Sequence, residues 1–200
     1  MSRRELEKRD AFAPSELRAE RAEGQADRLI GYAAVFDALS DDLGGYRERI
    51  APGAFARAIT EGADVRALID HDTAQVIGRT KSGTLRLKET NVGLAVEIDL
   101  PATQAARDLS ALIERGDVSH MSFGFYTRDD RWSKVDGEWV RTLLDVDLFD
   151  VSVVAIPAYP QTEVALRGLA SAKAAEVRPP ETNRLLHVRA ALIRAASAEL

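Results

Sequence analysis

Between Asp27 and Pro157 the chain is divided by closely spaced turn residues into short apolar runs, and this punctuation limits what it can fold into. RLIGYAAVF reads as a buried strand and DALSDDLGGYRE as a polar loop. IAPGAFARAITEG reads as a short helix, with Pro52 near its start and Gly62 past its end. Asp64 to Asp72 (DVRALIDHD) reads as a strand. Further β segments follow around VIGRT, GTLRLKE and VGLAVEIDL, separated at Ser82-Gly83 and Thr90-Asn91. Pro101 breaks the pattern. TQAARDLSALIERG then places Ala105, Leu109, Leu112 and Ile113 at helical spacing and stops at Gly116. Beyond it VSHMSFGFYT is a strand, RWSKV and EWVRTLLDVDL meet at an Asp136-Gly137 hairpin turn, and DVSVVAIP is a last strand. Many short strands with two internal helices predict a β-rich α+β fold. The expected form is a closed or nearly closed antiparallel β-barrel with helices outside, a sandwich being the alternative.

The ends differ in composition. Residues 1–26 are dense in Arg, Glu and Ala and predict a charged extension outside the core. After Gly168 the chain turns Ala-, Arg- and Glu-rich and is interrupted by Pro179-Pro180, which predicts a linker and a helix from about Glu181 to Glu199. The expected organisation is thus an extension (1–26), a domain (27–168) and a helical tail (169–200).

With 27 Lys+Arg against 32 Asp+Glu the net charge is −5, which argues against the broad positive field that nucleic-acid binding uses. The absence of cysteine excludes disulfides, thiolate nucleophiles and zinc–cysteine sites. The start MSRRELEKRD has no apolar stretch of the secretory kind, and no apolar run approaches the ~20 residues of a membrane span. The expectation is a cytosolic protein with no membrane partner.

In the run Val118 to Tyr126, alternation places Met121, Phe123 and Phe125 on one face, the core face, and His120, Ser122 and Gly124 on the other. Gly124 leaves a gap through which a substrate backbone could reach the Ser122 hydroxyl. The plainer alternative is an ordinary strand serine beside a bulge glycine. A serine nucleophile requires a base, and only His71, His120 and His187 are available. His71 closes the strand ALIDH, sharing a side with Ala67 and Ile69 and opposite Asp70 and Asp72. His120 competes, being two residues from Ser122 on the same face, but such neighbours are ~6.5–7 Å apart and too far for a direct bond. His187 falls in the tail. Asp150 leads into an apolar strand, where an unpaired carboxylate is costly. Equally, Asp145, Asp147 and Asp150 could form an exposed acidic edge that discourages aggregation. Periodicity alone leaves these choices open.

Several stretches in order, GYAAVFD, RERIAPGAFARAI, LIDHD, VIGRT with SGTLRL, IERGDVSHMSFGF and DVSVVAIPAYP, resemble the prohead (capsid maturation) proteases of tailed phages over about residues 28–167. That family is similar in fold to the herpesvirus assembly proteases. The resemblance implies a serine endopeptidase inside the immature capsid, in the cytoplasm of the bacterial host. Its substrates would be scaffold, or the scaffolding segment of the major capsid protein, and itself. It further implies Ser122 as nucleophile, His71 as general base and Asp150 as the acidic member, with Asp72 the fallback; His120 departs from the family pattern. Backbone N–H groups are the expected oxyanion donors, no metal or cofactor is expected, and a dimer is implied by analogy. The alternative function is a non-enzymatic scaffold or core protein of the same fold.

Overall fold

The computed structural model describes residues 5–10, 16–20, 27–155 and 163–177. In chain order these form strands β1 (Glu7–Asp10), β2 (Arg18–Glu20), β3 (Arg28–Val35) and β4 (Arg47–Ile50), then helix α1 (Ala56–Thr60). Strands β5 (Arg66–Ile69), β6 (Asp72–Arg79), β7 (Leu85–Glu89) and β8 (Gly93–Asp99) precede helix α2 (Gln104–Arg115). The long strands β9 (His120–Val135) and β10 (Glu138–Val154) and helix α3 (Glu163–Val177) complete the described chain.

The fold is β-rich α+β, but among the described residues the strands divide into two sheets instead of closing into the expected barrel. One has the order β1-β9-β10-β5-β6, with β4 also on β10; the other has the order β2-β3-β8-β7. Nor is the pairing wholly antiparallel, because β10 takes both β4 (Arg47–Ile50) and β5 (Arg66–Ile69) as parallel partners. Seventeen residues in one strand make this possible: Val140–Leu143 serve β4, and Asp150–Val153 serve β5.

The β9–β10 hairpin turns at Asp136 (φ 51°) and Gly137 (φ 88°), the Asp-Gly pair expected of a tight turn with two left-handed residues. The segments RWSKV and DVSVV are not separate strands but continuations of β9 and β10, which ends at Val154; Ile156 and Pro157 lie outside the described residues. The polar stretch between the predicted pieces stays in the ladder because its side chains pair across it: Asp130 binds Arg141 at 2.6 Å, and Arg128 binds Asp147 at 3.2 Å. Helix α2 is capped by the Thr103 hydroxyl, which accepts from the Ala106 N–H at 3.3 Å, and it ends at Gly116 with φ 83°. Its buried stripe is Ala106, Leu109 and Ile113, whereas Ala105 and Leu112 face out. The main core joins Leu29, Phe55, Leu94, Phe123, Phe125 and Val151, with Phe55 meeting Phe123 edge-on at 5.4 Å.

Both ends depart from expectation. Residues 1–26 are not simply an external extension, because β1 lies antiparallel on β9 with Glu7 and Arg9 fully buried. Burial of such residues is tolerated only when the charges are paired. Here Arg9 binds Glu48 at 2.9 Å and Glu7 at 3.1 Å, and Arg141 binds Glu7 at 2.7 Å and Glu48 at 3.0 Å. Gly168 is not a boundary either. Helix α3 runs through it against the Trp132 ring, and Ala165 and Leu169 pack with Leu43 and Tyr46. The helix predicted over Glu181–Glu199 and His187 lie outside the described residues. No described helix is long and apolar enough to cross a membrane.

The network makes a pH prediction. Burial acts to raise the Glu7 pKa, but the Arg141 hydrogen bond and the charges of Arg141 and Arg9 outweigh it and hold the carboxyl below its ordinary 4.5. A carboxyl whose folded pKa is depressed contributes stability that is complete above the unfolded value and is lost as pH falls through the folded one. The stability difference between wild type and Glu7→Gln, from urea unfolding, is therefore expected to narrow as pH drops below 4.5. A pH-independent difference contradicts it.

Candidate active site

Ser122 lies on β9 opposite Ser152 of β10, and the neighbouring pairs, Met121 with Val153 and Phe123 with Val151, face the core. The predicted alternation of faces therefore holds, and Ser122 is on the non-core face, yet fully buried. His71 is not the end of a strand as expected. Strand β5 stops at Ile69, which pairs with Asp72, so Asp70 and His71 form a two-residue turn with φ 49° and 57°. Left-handed backbone costs a non-glycine residue energy, and surrounding contacts must hold it. Here the Asp70 N–H donates to the Val153 carbonyl at 2.9 Å, and the Asp70 carboxylate accepts from the Ala155 N–H at 3.1 Å. The turn is thereby fastened to the end of β10, and the imidazole is directed at β9 and β10.

Asp150 reaches the same face through a β-bulge. Leu148 pairs with Phe125, but the next pair is Asp150 with Gly124, so Phe149 is the extra residue. Without that insertion Asp150 would share the core face with Leu148; with it, Asp150 shares the face of Gly124 and Ser122. A Cβ built on Gly124 would lie 2.3 Å from Asp150 Oδ2. The space left by this glycine is thus filled by the Asp150 carboxylate and is not the substrate gap that the sequence suggested.

The three side chains form one hydrogen-bonded line. His71 Nδ1 is 2.6 Å from Asp150 Oδ1 and His71 Nε2 is 2.7 Å from Ser122 Oγ, with the imidazole 4% and the carboxylate 1% exposed. Ser152, which the sequence reading passed over, donates to Asp150 Oδ1 at 2.7 Å and lies 3.2 Å from His71 Nδ1. Its signal in the sequence is its position two residues after Asp150 on the same face. The competing residues are elsewhere. His120 Nδ1 pairs with the Ser119 hydroxyl at 3.1 Å. Asp72 is exposed and accepts from the Ala74 N–H at 2.8 Å, which lowers its carboxyl pKa. Asp145 and Asp147 bind Arg57 at 2.9 and 2.7 Å.

Strand β1 lies over Ser122, with Asp10 opposite it, and the Ser122 hydroxyl is 2.9 Å from the Arg9 carbonyl oxygen, to which it can donate. One hydroxyl proton serves two acceptors. With a neutral imidazole protonated on Nδ1 it points to His71 Nε2; with an imidazolium it points to Arg9. The carbonyl on Ser122 Oγ occupies the place that an acyl donor needs.

A serine, an imidazole and a carboxylate in this order suit acyl transfer. A sequence model of the caudovirus prohead serine proteases matches residues 14–177. The chain belongs to the caudovirus prohead serine protease family. One relative within reach of this family member is the prohead protease of Enterobacteria phage HK97, 30% identical over 146 residues, which are 72% of this chain and 61% of that protein. The chain thus spans 61% of the length of this relative. A solved structure, the bacteriophage T4 capsid assembly protease, superposes with a TM-score of 0.51 at 10% identity, covering 74% of this chain and 96% of that one. At that identity the likeness is one of fold.

Proposed function

We propose that this chain is a serine endopeptidase that cleaves scaffold, or the scaffolding segment of the major capsid protein, and itself during prohead maturation. It acts inside the immature capsid in the host cytoplasm. The observation that carries the reading is the continuous line Ser122–His71–Asp150, with bonds of 2.7 and 2.6 Å.

Ser122 Oγ attacks the peptide carbonyl carbon while His71 Nε2 takes its proton. The imidazolium formed is stabilised by Asp150 and returns the proton to the leaving amine. Water, deprotonated by His71, then releases the acyl-enzyme. Asp150 also fixes the tautomer by accepting from Nδ1–H, so that Nε2 is the basic atom. Asp150→Asn presents an amide that favours the wrong tautomer, and kcat is expected to fall by ~10⁴-fold. Asp72→Asn leaves kcat near wild type. Equal losses in the two variants remove Asp150 from the site.

The reading is tested by incubating the purified full-length chain with its Ser122→Ala form and following intact masses. Fragments are expected in the wild type and in mixtures, and none in Ser122→Ala alone. Fragments that persist in Ser122→Ala alone contradict it.

A further inference from the structure

We infer that Glu48 and Arg141 are charge-reading subsites beside Ser122, selecting peptides with arginine immediately before the scissile bond and an acidic residue two positions earlier. The inference rests on Ser122 being the nucleophile, and it deepens that reading by naming a substrate class.

Strand β1 supplies the template. It runs antiparallel on β9, the strand that carries Ser122, with Arg9 opposite Phe123 and Asp10 opposite Ser122. The carbonyl that meets Ser122 Oγ is that of Arg9, at 2.9 Å. A peptide lying as β1 lies would therefore present its bond at the Arg9–Asp10 position. Period-two geometry sends the side chains of residues 7 and 9 to one face. Both enter a buried charged cavity built by other strands.

Arg9 Nε is 2.9 Å from Glu48 Oε1 and its terminal nitrogen 3.5 Å from Oε2, a side-on pair, and its guanidinium stands 5.9 Å from the centre of the Phe125 ring. Glu7 receives both terminal nitrogens of Arg141, at 2.7 and 3.2 Å, together with the Thr127 hydroxyl. Glu48 and Arg141 belong to β4 and β10, so they remain when a different peptide replaces β1. They also have their own supports: Arg141 binds Glu48 at 3.0 Å and Asp130 at 2.6 Å, and the Glu48 N–H donates to Ser40 Oγ at 2.8 Å. Both side chains are at most 1% exposed.

A strand with the wrong charges would leave Glu48 or Arg141 buried beside a like charge, a large penalty in a site that excludes water. The side-on pair also distinguishes arginine from lysine, whose ammonium offers one nitrogen where the guanidinium sets two in a fixed plane against the two Glu48 oxygens. In the reaction Ser122 Oγ bonds to the arginine carbonyl carbon, and the bond to the next nitrogen breaks. That nitrogen takes the proton held by His71, and water later frees the arginine carboxylate.

The test incubates the full-length chain and its Ser122→Ala form with a proteome-derived peptide library, maps the cuts, and records the intact mass of the chain itself. Rates are then compared for a peptide of residues 2–15, SRRELEKRDAFAPS, and its variants. Cuts are expected after arginine with an acidic residue two positions before it, including the Arg9–Asp10 bond. Within the peptide, Arg9→Glu should lower kcat/KM by ~100-fold or more, and Arg9→Lys and Glu7→Arg by ~10-fold or more. Ser122-dependent cuts without this charge pattern, or equal rates for the variants, overturn the subsites and leave the protease reading standing. No Ser122-dependent cut in library, peptide or chain overturns the protease reading, and the inference with it.

Discussion

Cleavage by the His71→Ala variant is expected to fall by ~10⁴–10⁶-fold, the loss that serine-triad enzymes show when their base is removed. The His120→Ala variant is expected to stay near the wild-type rate. The difference follows from geometry: His71 Nε2 is 2.7 Å from Ser122 Oγ, while His120, although nearer in sequence, pairs with Ser119. Initial rates on a single substrate decide the matter. The reverse ranking, His120→Ala inactive and His71→Ala active, makes His120 the base.

Gly124→Ala carries the second large effect and comes from a residue with no reactive group. A methyl group there would collide with Asp150 Oδ2 at 2.3 Å, far inside contact distance, and the other atoms near it also belong to that carboxylate. Because Asp150 is only 1% exposed and Gly124 faces it directly across the ladder, the carboxylate must rotate away from His71 or the strands must part. The expected result is a folded protein whose kcat falls by about 10³–10⁴-fold, close to the loss on replacing Asp150 itself. KM should change little, since Gly124 does not face the Glu48–Arg141 cavity. A Gly124→Ala enzyme within tenfold of wild type shows that the carboxylate can move without cost and that the glycine is not there to accommodate it.

What could be read from the sequence depended on the kind of signal each element leaves. Turn chemistry marked the Asp136-Gly137 hairpin and the Gly116 stop of α2, and period-two alternation assigned Met121, Phe123 and Phe125 to the core and Ser122 to the other face. Neither signal specifies partners. Two parallel neighbours on β10, and two sheets where one barrel was expected, depend on long-range pairing that no local pattern encodes. Pattern alone also left the site undecided among His71 and His120, and among Asp150 and its neighbours; resemblance to the family chose between them. The bulge at Phe149 explains why: counting by twos from Leu148 puts Asp150 in the core, and one unpaired residue reverses this. Strand β1 was hidden for a different reason. Glu7 and Arg9 look like solvent-facing charges, and their burial follows only from Glu48 and Arg141, which lie 39 or more residues away in the chain.

The most direct measurement co-expresses the chain, wild type and Ser122→Ala, with a tailed-phage major capsid protein and its scaffold as the proposed substrates, and reads intact masses of the proteins from assembled particles. Fragments of the capsid or scaffold protein that are present with the wild type and absent with Ser122→Ala are the expected result. Identical uncut masses in both, despite assembled particles, contradict a maturation protease and leave a scaffolding role for the fold.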